Sequence, residues 1–225
     1  MTDASPALFR PALFSPQDVR ARAQARLQLD PALLERRAGA IERWGDHTLN
    51  PGAFPAIERH GGAPAAVLVP IVSRPDGATI LLTQRASHLR QHSGQIAFPG
   101  GKIDAADASP IAAALREAHE EIGLDRKYVE PIGYLDAYVT GTGFRIFPVL
   151  AMVAPGFELI INPDEVDDAF EVPMSFLMEV ANHRLETREI SGVQRQFYAM
   201  PYNDRYIWGA TAGMLRNLYM RLYSA

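Results

Sequence analysis

The sequence predicts an α+β fold in which one mixed β-sheet packs against helices. Two observations carry this prediction. Most of the chain after residue 60 consists of short apolar runs of the kind that form strands. Strong helical patterns occur only once in the middle of that region and once at its end, whereas alternating βα units would repeat them. The 225 residues, 48% of them hydrophobic, suit one domain with an extension. We place an N-terminal arm and helical extension at residues 1–60 and the main domain at 61–225.

The extension contains two predicted helices. Residues 1 to about 14 show no clear period and are expected to form an arm. Ser15-Pro16 and Asp30-Pro31 each provide a capping side chain followed by proline, which is typical of a helix start, so helices are expected from there to Leu29 and to Trp44. A Gly/Pro-rich linker follows from Gly45 to Pro64.

The main domain is expected to begin with two strands, 65–72 and 78–85, joined by a turn at 74–77. Pro70 lacks a backbone N–H and therefore predicts an edge or a bulge there. Further strands are expected at 95–101, 134–140, 144–153, 157–161, up to Pro173, 184–190 and 195–201. An amphipathic helix is expected over residues 207–223.

The segment 98–124, FPGGKIDAADASPIAAALREAHEEIGL, combines a glycine turn with a helix rich in acids. Ser109-Pro110 predicts the helix start and Gly123 its end. Ile111, Leu115, Ala118 and Ile122 form the apolar stripe that packs.

Three carboxylates, Glu117, Glu120 and Glu121, are expected to project together from the opposite side, with Arg116 beside them. Acids on an outer helix face are usually just solvated. Here three of them stand at i, i+3 and i+4 with one arginine, an arrangement that repels itself without a cation. Mg²⁺ binds through a few carboxylates, water and substrate phosphates, and Gly100-Gly101 would let the backbone approach closely.

The run REAHEEIGL after a glycine pair resembles the Nudix box of the Nudix hydrolases. It departs by one extra loop residue, by Asp107 in place of Glu, and by Ala118 at an aliphatic position. The preceding LLTQRASHLRQHSGQIAFPGG, residues 81–101, matches every fixed position of the coenzyme A pyrophosphatase signature. That subgroup tolerates the longer loop with Asp, and two adjoining motifs are more specific than a lone glycine loop.

This resemblance implies an α/β/α sandwich and a pyrophosphohydrolase that depends on Mg²⁺ or Mn²⁺. The substrate would be coenzyme A or its thioesters, cleaved to adenosine 3′,5′-bisphosphate and 4′-phosphopantetheine or its acylated form. The residues expected to act fall into three groups. Metal ligands are Glu117, Glu120, Glu121 and Gly100; catalytic residues are Glu120, Glu121, Arg116 and Glu165; phosphate-binding residues are Arg85, Arg90, His92, Gly100 and Gly101.

Several of these assignments have alternatives. Arg116 is expected to orient the glutamates rather than touch substrate, and one of the acids would serve as base. Glu165 lies in an acidic loop, 162–168, that plain turn chemistry explains equally well. The arginine and histidine positions, taken singly, resemble ordinary surface charges, but together they suit an anionic ligand.

Composition limits the other functions. The formal net charge of −4 disfavours nucleic acid as a partner, and the lack of cysteine excludes disulfides and a thiolate site. The first residues lack a signal-peptide pattern and no apolar run approaches about 20 residues, so we expect a cytoplasmic protein without a membrane partner. A homodimer stays open. The alternatives are a Nudix hydrolase for another nucleoside diphosphate derivative, such as ADP-ribose, and a catalytically silent nucleotide-binding module.

Overall fold

A computed structural model describes residues 11–30, 44–54, 62–190 and 192–224. Helix α1 spans Pro16–Arg26 and begins where predicted, since the Ser15 hydroxyl accepts a hydrogen bond from the backbone N–H of Asp18 at 3.1 Å. The second predicted helix of the extension falls almost entirely on residues 31–43, outside the described part. A short helix α2, Asp46–Leu49, lies in the predicted linker.

The predicted main domain, residues 61–225, contains eleven strands and three α-helices among its described residues. Its strands are β1 Ala63–Val72, β2 Thr79–Arg85, β3 Ile96–Ala97, β4 Gly100–Lys102, β5 Val129–Tyr134, β6 Tyr138–Val139, β7 Phe144–Val153, β8 Val166–Pro173, β9 Arg184–Ile190, β10 Val193–Tyr202 and β11 Arg205–Trp208. Its helices are α3 Pro110–Ile122, α4 Met174–Leu177 and α5 Gly209–Leu222.

The main sheet is mixed. Its backbone order is β3-β2-β1-β7-β5, with β8 beside β2, β4 beside β1 and β6 beside β7. Only the long central pair, β1 and β7, runs parallel, from Ala63↔Phe144 to Val72↔Val153; the neighbouring pairs are antiparallel. A second, antiparallel sheet has the order β11-β10-β9.

Helices cover both faces of the main sheet, as predicted. One core contains fully buried residues of α1 and α5, such as Val19 and Leu218, and extends to the small sheet through Met200. The other lies between α3 and the opposite face, where Ala114, Ile122 and Leu68 are fully buried. The α/β/α sandwich is therefore confirmed. Among the described residues no helix is long and apolar enough to cross a membrane.

The prediction for Pro70 was wrong about an edge, because β1 is an interior strand. Leu68 donates its N–H to the carbonyl of Pro99 at 2.9 Å, and pairing with β2 starts only at Ile71. Pro70 occupies the interval between these two partners. Its missing N–H therefore interrupts no ladder on that side, while the parallel register with β7 continues past it.

Several boundaries differ from the sequence prediction: α1 ends at Arg26, the strand expected at 95–101 is split into β3 and β4, and β8 begins inside the expected acidic loop. Three further differences concern the rest of the domain. Residues 157–161 were predicted as a strand but form none; instead the Ile160 N–H donates to the carbonyl of Ile122 at 2.9 Å and satisfies the end of α3. The predicted strand 134–140 is reduced to β6, and β5 begins earlier, at Val129. The last helix begins at Gly209, because residues 207 and 208 complete β11.

Candidate active site

Helix α3 is fixed at both ends by the residues that the sequence indicated. The Ser109 hydroxyl accepts from the Ala112 N–H at 3.2 Å, and Pro110 occupies the first helical position. Gly123 adopts the left-handed conformation with φ of 67°, and a Cβ there would stand 2.8 Å from that of Ile160. A side chain at this position would therefore displace the segment that closes the helix. These contacts fix where α3 begins and ends, and therefore where its acids lie along the helix axis.

Arg116 is the centre of a hydrogen-bonded cluster. Its guanidinium donates to both carboxylate oxygens of Asp107, at 3.1 and 2.9 Å, and to Glu117 and Glu120 at 3.0 and 2.9 Å. It also donates to the carbonyl of Lys102 at 3.2 Å. Arginine suits this task because its planar fork presents several N–H groups in fixed directions. The orienting role expected of Arg116 agrees with these contacts.

Asp107, the residue that replaces glutamate in the glycine loop, holds this arginine. Its side chain is only 6% exposed and also accepts from the Asp104 N–H at 2.8 Å. The hydrogen bonds from Arg116 and from this backbone group lower the pKa of Asp107 below its usual value. The longer loop thus supplies the anchor of Arg116.

Glu121 is the most enclosed acid of the helix, with 3% of its surface exposed. It accepts one hydrogen bond among the described residues, from the N–H of Gly100 at 3.1 Å. Burial raises the pKa of Glu121 to about 8, and the charges of Glu117 and Glu165 contribute in the same direction. The Gly100 N–H and the nearby charge of Arg85 oppose this rise without cancelling it.

The glycine pair lies against the acids. A Cβ on Gly101 would stand 2.5 Å from the carboxylate carbon of Glu117, and one on Gly100 would stand 2.4 Å from the carbonyl oxygen of Ala66. Position 100 therefore requires glycine, because a Cβ there would meet backbone atoms, whereas a Cβ on Gly101 would push the Glu117 carboxylate aside. Burial is the largest cause of a raised pKa at Glu117, with Glu120 and Glu165 adding to it and Arg116 opposing it.

The helix acids differ in exposure. Glu117 and Glu121, four residues apart, lie on the inner side facing the glycine loop, whereas Glu120 has a side chain that is 51% exposed and is bound to Arg116. Glu117 and Glu120 nevertheless accept from the same Arg116 nitrogen, at 3.0 and 2.9 Å, so these two carboxylates lie side by side. A helix turns about 100° between positions 120 and 121, which separates these neighbours.

Glu165 is brought to the site by the loop before β8. Its carbonyl accepts from the Ala86 N–H at 2.9 Å, and its carboxylate accepts from the Asn162 amide at 3.0 Å. The N–H of Asn162 donates in turn to the carbonyl of Glu121 at 2.9 Å. Asn162 therefore ties the loop to the helix, a role that sequence reasoning missed because no local pattern marks a contact between such distant segments.

The three basic side chains among the residues expected to bind phosphate, Arg85, Arg90 and His92, are not equivalent. Arg85 ends β2 at a register shift, its charge acts on Glu121, and its buried Nε has no hydrogen-bond partner within the described residues. Arg90 and His92 are exposed, and no hydrogen bond or ion pair in the described part joins them to the acids. His92 instead contacts the side-chain oxygen of Gln95 through Nδ1 at 2.9 Å. Only Arg85 adjoins the acid cluster.

The donor chemistry fits a hard divalent cation held partly by protein. Within residues 11–30, 44–54, 62–190 and 192–224, no three Asp, Glu or His side chains form a ready set of metal ligands. Three carboxylates, those of Glu117, Glu121 and Glu165, nevertheless act on one another beside the backbone of Gly100. A buried carboxylate with one hydrogen bond and two like neighbours gains from a cation. Mg²⁺ completes its shell with water and phosphate oxygens.

Comparison with known proteins identifies the family. The NUDIX domain model matches residues 62–195. "Uncharacterized Nudix hydrolase NudL" of Enterobacter sp. is 40% identical over 158 residues, covering 70% of this chain and 82% of that protein. The Salmonella paratyphi B protein of the same name is 41% identical over the same shares. A crystal structure of a Nudix hydrolase from M. smegmatis, RenU, is 26% identical over 58% of this chain and 72% of that one, with a TM-score of 0.43.

The chain belongs to the Nudix hydrolase family. It is an enzyme that acts on pyrophosphate bonds in nucleoside diphosphate derivatives, and enzymes of this family generally use divalent cations such as Mg²⁺ or Mn²⁺. The expectation of a hydrolase is confirmed at this level.

Proposed function

We propose that the protein hydrolyses the diphosphate of coenzyme A or its thioesters with Mg²⁺ or Mn²⁺. Water would attack one phosphorus and the bridging P–O bond would break, giving adenosine 3′,5′-bisphosphate and 4′-phosphopantetheine or its acylated form. The observation that carries this proposal is the position of the 81–101 signature. Its strand ends at Arg85, whose charge acts on the buried Glu121, and its glycine pair closes on Glu117.

The cation would be held by the carboxylates of Glu117, Glu121 and Glu165, by Glu120 from the outer side, and by the backbone of Gly100. Bound there, it would neutralise charge on the diphosphate and acidify the attacking water. Arg116 holds Glu117 and Glu120 in place through its fork. One of the helix acids would accept the proton of the water.

Arg85 supplies a positive charge that acts on the buried Glu121 and is suited to the diphosphate, since a guanidinium binds phosphate oxygens through two N–H groups. Arg90 and His92 lie further along the same loop, where they would meet the 3′-phosphate that distinguishes coenzyme A from most nucleotide diphosphates. In this proposal, Arg85 at the start of the signature loop binds the diphosphate, and Arg90 and His92 in its middle bind the 3′-phosphate.

The test is hydrolysis of a panel of diphosphates with Mg²⁺ or Mn²⁺, followed by chromatography of the products. Arg90→Ala should lower kcat/KM for coenzyme A by roughly 10- to 150-fold, because a charge-assisted hydrogen bond is worth about 1.5 to 3 kcal/mol. Activity on 3′-dephospho-coenzyme A should fall much less. The matched control is Arg126→Ala, an exposed arginine beyond the far end of α3, which should change neither activity.

Two results would contradict parts of this proposal. An equal loss on both substrates would remove Arg90 from the 3′-phosphate. Faster hydrolysis of ADP-ribose than of coenzyme A by the wild type would replace the substrate and keep the family chemistry.

A further inference from the structure

A cavity of about 370 Å³ lies at the end of β2, beside the small sheet. It lies between the end of the signature loop, residues 93–96, and strand β11. Gln84 lines its wall, and the next residue, Arg85, acts on Glu121. Because successive strand side chains point to opposite faces of a sheet, a molecule whose diphosphate lies at Arg85 would reach this cavity around the end of β2. The volume falls in the range of small-molecule sites.

One wall of the cavity consists of two aromatic rings, Tyr206 and Trp208. They stand two residues apart on β11 and so share one face of the small sheet. Arg188 lies over both rings, at 5.8 and 5.7 Å from their centroids, and Phe197 packs edge-on to Trp208 at 5.2 Å. The Tyr206 hydroxyl donates to Glu186 at 2.6 Å. These contacts fix the aromatic wall in place before any ligand arrives.

The rest of the lining offers hydrogen bonds rather than net charge. The side-chain oxygens of Gln84 and Gln95 are engaged by Arg205 and His92, which leaves two amide N–H₂ groups as donors. Arg205 is paired with Asp168 at 2.6 Å and lies 3.7 Å from Asp204. The Asp204 side chain is 86% exposed and is an acceptor. This set suits a polar planar group better than a phosphate.

We propose that this cavity binds the adenine base of the substrate, stacked on Tyr206 and Trp208. Adenine presents ring-nitrogen acceptors to the amides of Gln84 and Gln95 and an exocyclic amino donor to Asp204. The inference rests on the proposed function for the diphosphate at Arg85, but it holds for any adenine nucleotide. The loop joins the two places, because the Arg85 N–H donates to the Gln95 carbonyl at 2.9 Å and the Gly94 N–H donates to the Arg85 carbonyl at 3.1 Å.

Binding of adenosine 5′-monophosphate in the presence of EDTA, measured by calorimetry, tests this site without metal or turnover. Trp208→Leu removes the π surface and should weaken binding about 5- to 150-fold, the range found for loss of one base–aromatic stack. Trp208→Phe keeps a π surface and should stay within about fivefold of the wild type. Because the chain has two tryptophans, Trp44→Phe leaves Trp208 as the only reporter, and the nucleotide should quench its fluorescence.

Asp204 is tested by the choice of base. Wild type should bind adenosine 5′-monophosphate about tenfold more tightly than inosine 5′-monophosphate, whose base carries oxygen in place of the amino group. Asp204→Asn should reduce this preference, while Glu158→Gln, an exposed acid outside the cavity lining, should keep it.

The outcomes separate this inference from the proposed function. Nucleotide binding that depends on Trp208 in a protein that hydrolyses no coenzyme A supports the base site and refutes the substrate. Unchanged affinity in a folded Trp208→Leu variant, checked by urea unfolding, overturns the base site even if coenzyme A is hydrolysed. Loss of affinity in Trp208→Leu and Trp208→Phe alike would also overturn stacking.

Discussion

Two buried carboxylates lie on opposite faces of the main sheet in contrasting surroundings. Asp18, on α1, is 7% exposed and accepts hydrogen bonds from Arg22 at 2.7 Å, from the Phe14 N–H at 3.0 Å and from the Tyr223 hydroxyl at 3.1 Å. Glu121, on α3, is 3% exposed and accepts one, from Gly100, among the described residues. Burial of a charge is costly unless it is paired. Asp18, which is fully paired, therefore stabilises the fold. Glu121, which accepts only one hydrogen bond among the described residues, marks the proposed cation site.

The surroundings of each helix extend this contrast. On the α5 side, the buried Asn217 is satisfied at both ends, donating to the Asp136 carboxylate at 2.9 Å and accepting from the Asp136 N–H at 3.2 Å. On the α3 side, burial first and neighbouring like charges second raise the pKa of Glu117 and of Glu121. The satisfied polar groups on the face with α1 and α5 stabilise the fold, whereas the neighbouring acids of the site on the face with α3 destabilise it.

The largest expected effect is on turnover. Glu121→Gln should lower kcat by on the order of 10² or more, because it removes a charge from the proposed cation site and keeps the shape of the side chain. Without metal and above about pH 8, where Glu121 is charged, its melting temperature should equal or exceed that of the wild type, since a buried charge with one hydrogen bond is gone.

Metal binding provides the control for that variant. Saturating Mg²⁺ stabilises a folded site by mass action, about 2.7 kcal/mol at 100 times Kd, so the wild type should melt at a clearly higher temperature with Mg²⁺ and Glu121→Gln should not. Equal shifts in both proteins, or normal turnover in the variant, would place the cation elsewhere.

An intermediate effect is expected on the opposite face. Asp18→Asn should lower the free energy of unfolding by about 1–3 kcal/mol, because the charge-assisted bond from Arg22 is lost inside the protein. Its kcat should stay within about twofold of the wild type. Urea unfolding and turnover measured on the same preparation check this, and a variant that loses turnover but not stability would reverse the comparison.

The smallest effect concerns Glu171, an acid at the β2–β8 edge. Burial opposes its charge, but hydrogen bonds from Arg74 and Thr79 outweigh burial and lower the pKa of Glu171. A lowered pKa means that the stabilisation is fully present above the unfolded-state pKa of about 4.3 and is lost as pH falls through the folded-state value. The pair is partly exposed, so we expect on the order of 1 kcal/mol or less.

The measurement for Glu171 is urea unfolding of wild type and Glu171→Gln across pH 7 to 3. The difference in unfolding free energy should be constant above about pH 5 and shrink below it. A difference that grows as the pH falls would show that Glu171 is stabilised in its protonated form.

Local sequence patterns predicted the elements best where the cause is local. Ser109, Pro110 and Gly123 fix the ends of α3 through capping contacts within a few residues. The strand predicted at 157–161 is not formed, because apolar residues in a short segment do not by themselves distinguish a strand from a packed loop. The backbone of this segment hydrogen-bonds to the end of α3 instead. Pro70 does not indicate an edge strand, because it lies between the residues of β1 that pair with β4 and those that pair with β2, and the sequence does not show where those pairings end.

The sequence by itself determined the α+β class, the acidic helix with its arginine and glycine loop, and the resemblance that led to the family. These follow from spacing along one segment, and helix and turn geometry convert such spacing directly into neighbours. Only the tertiary structure decided that Glu121 is buried while Glu120 is exposed, that Asp107 anchors Arg116, and that Glu165 arrives through Asn162. Those facts depend on how α3, the glycine loop and the 162–165 loop pack against one another and against the sheet, and no local period encodes that packing.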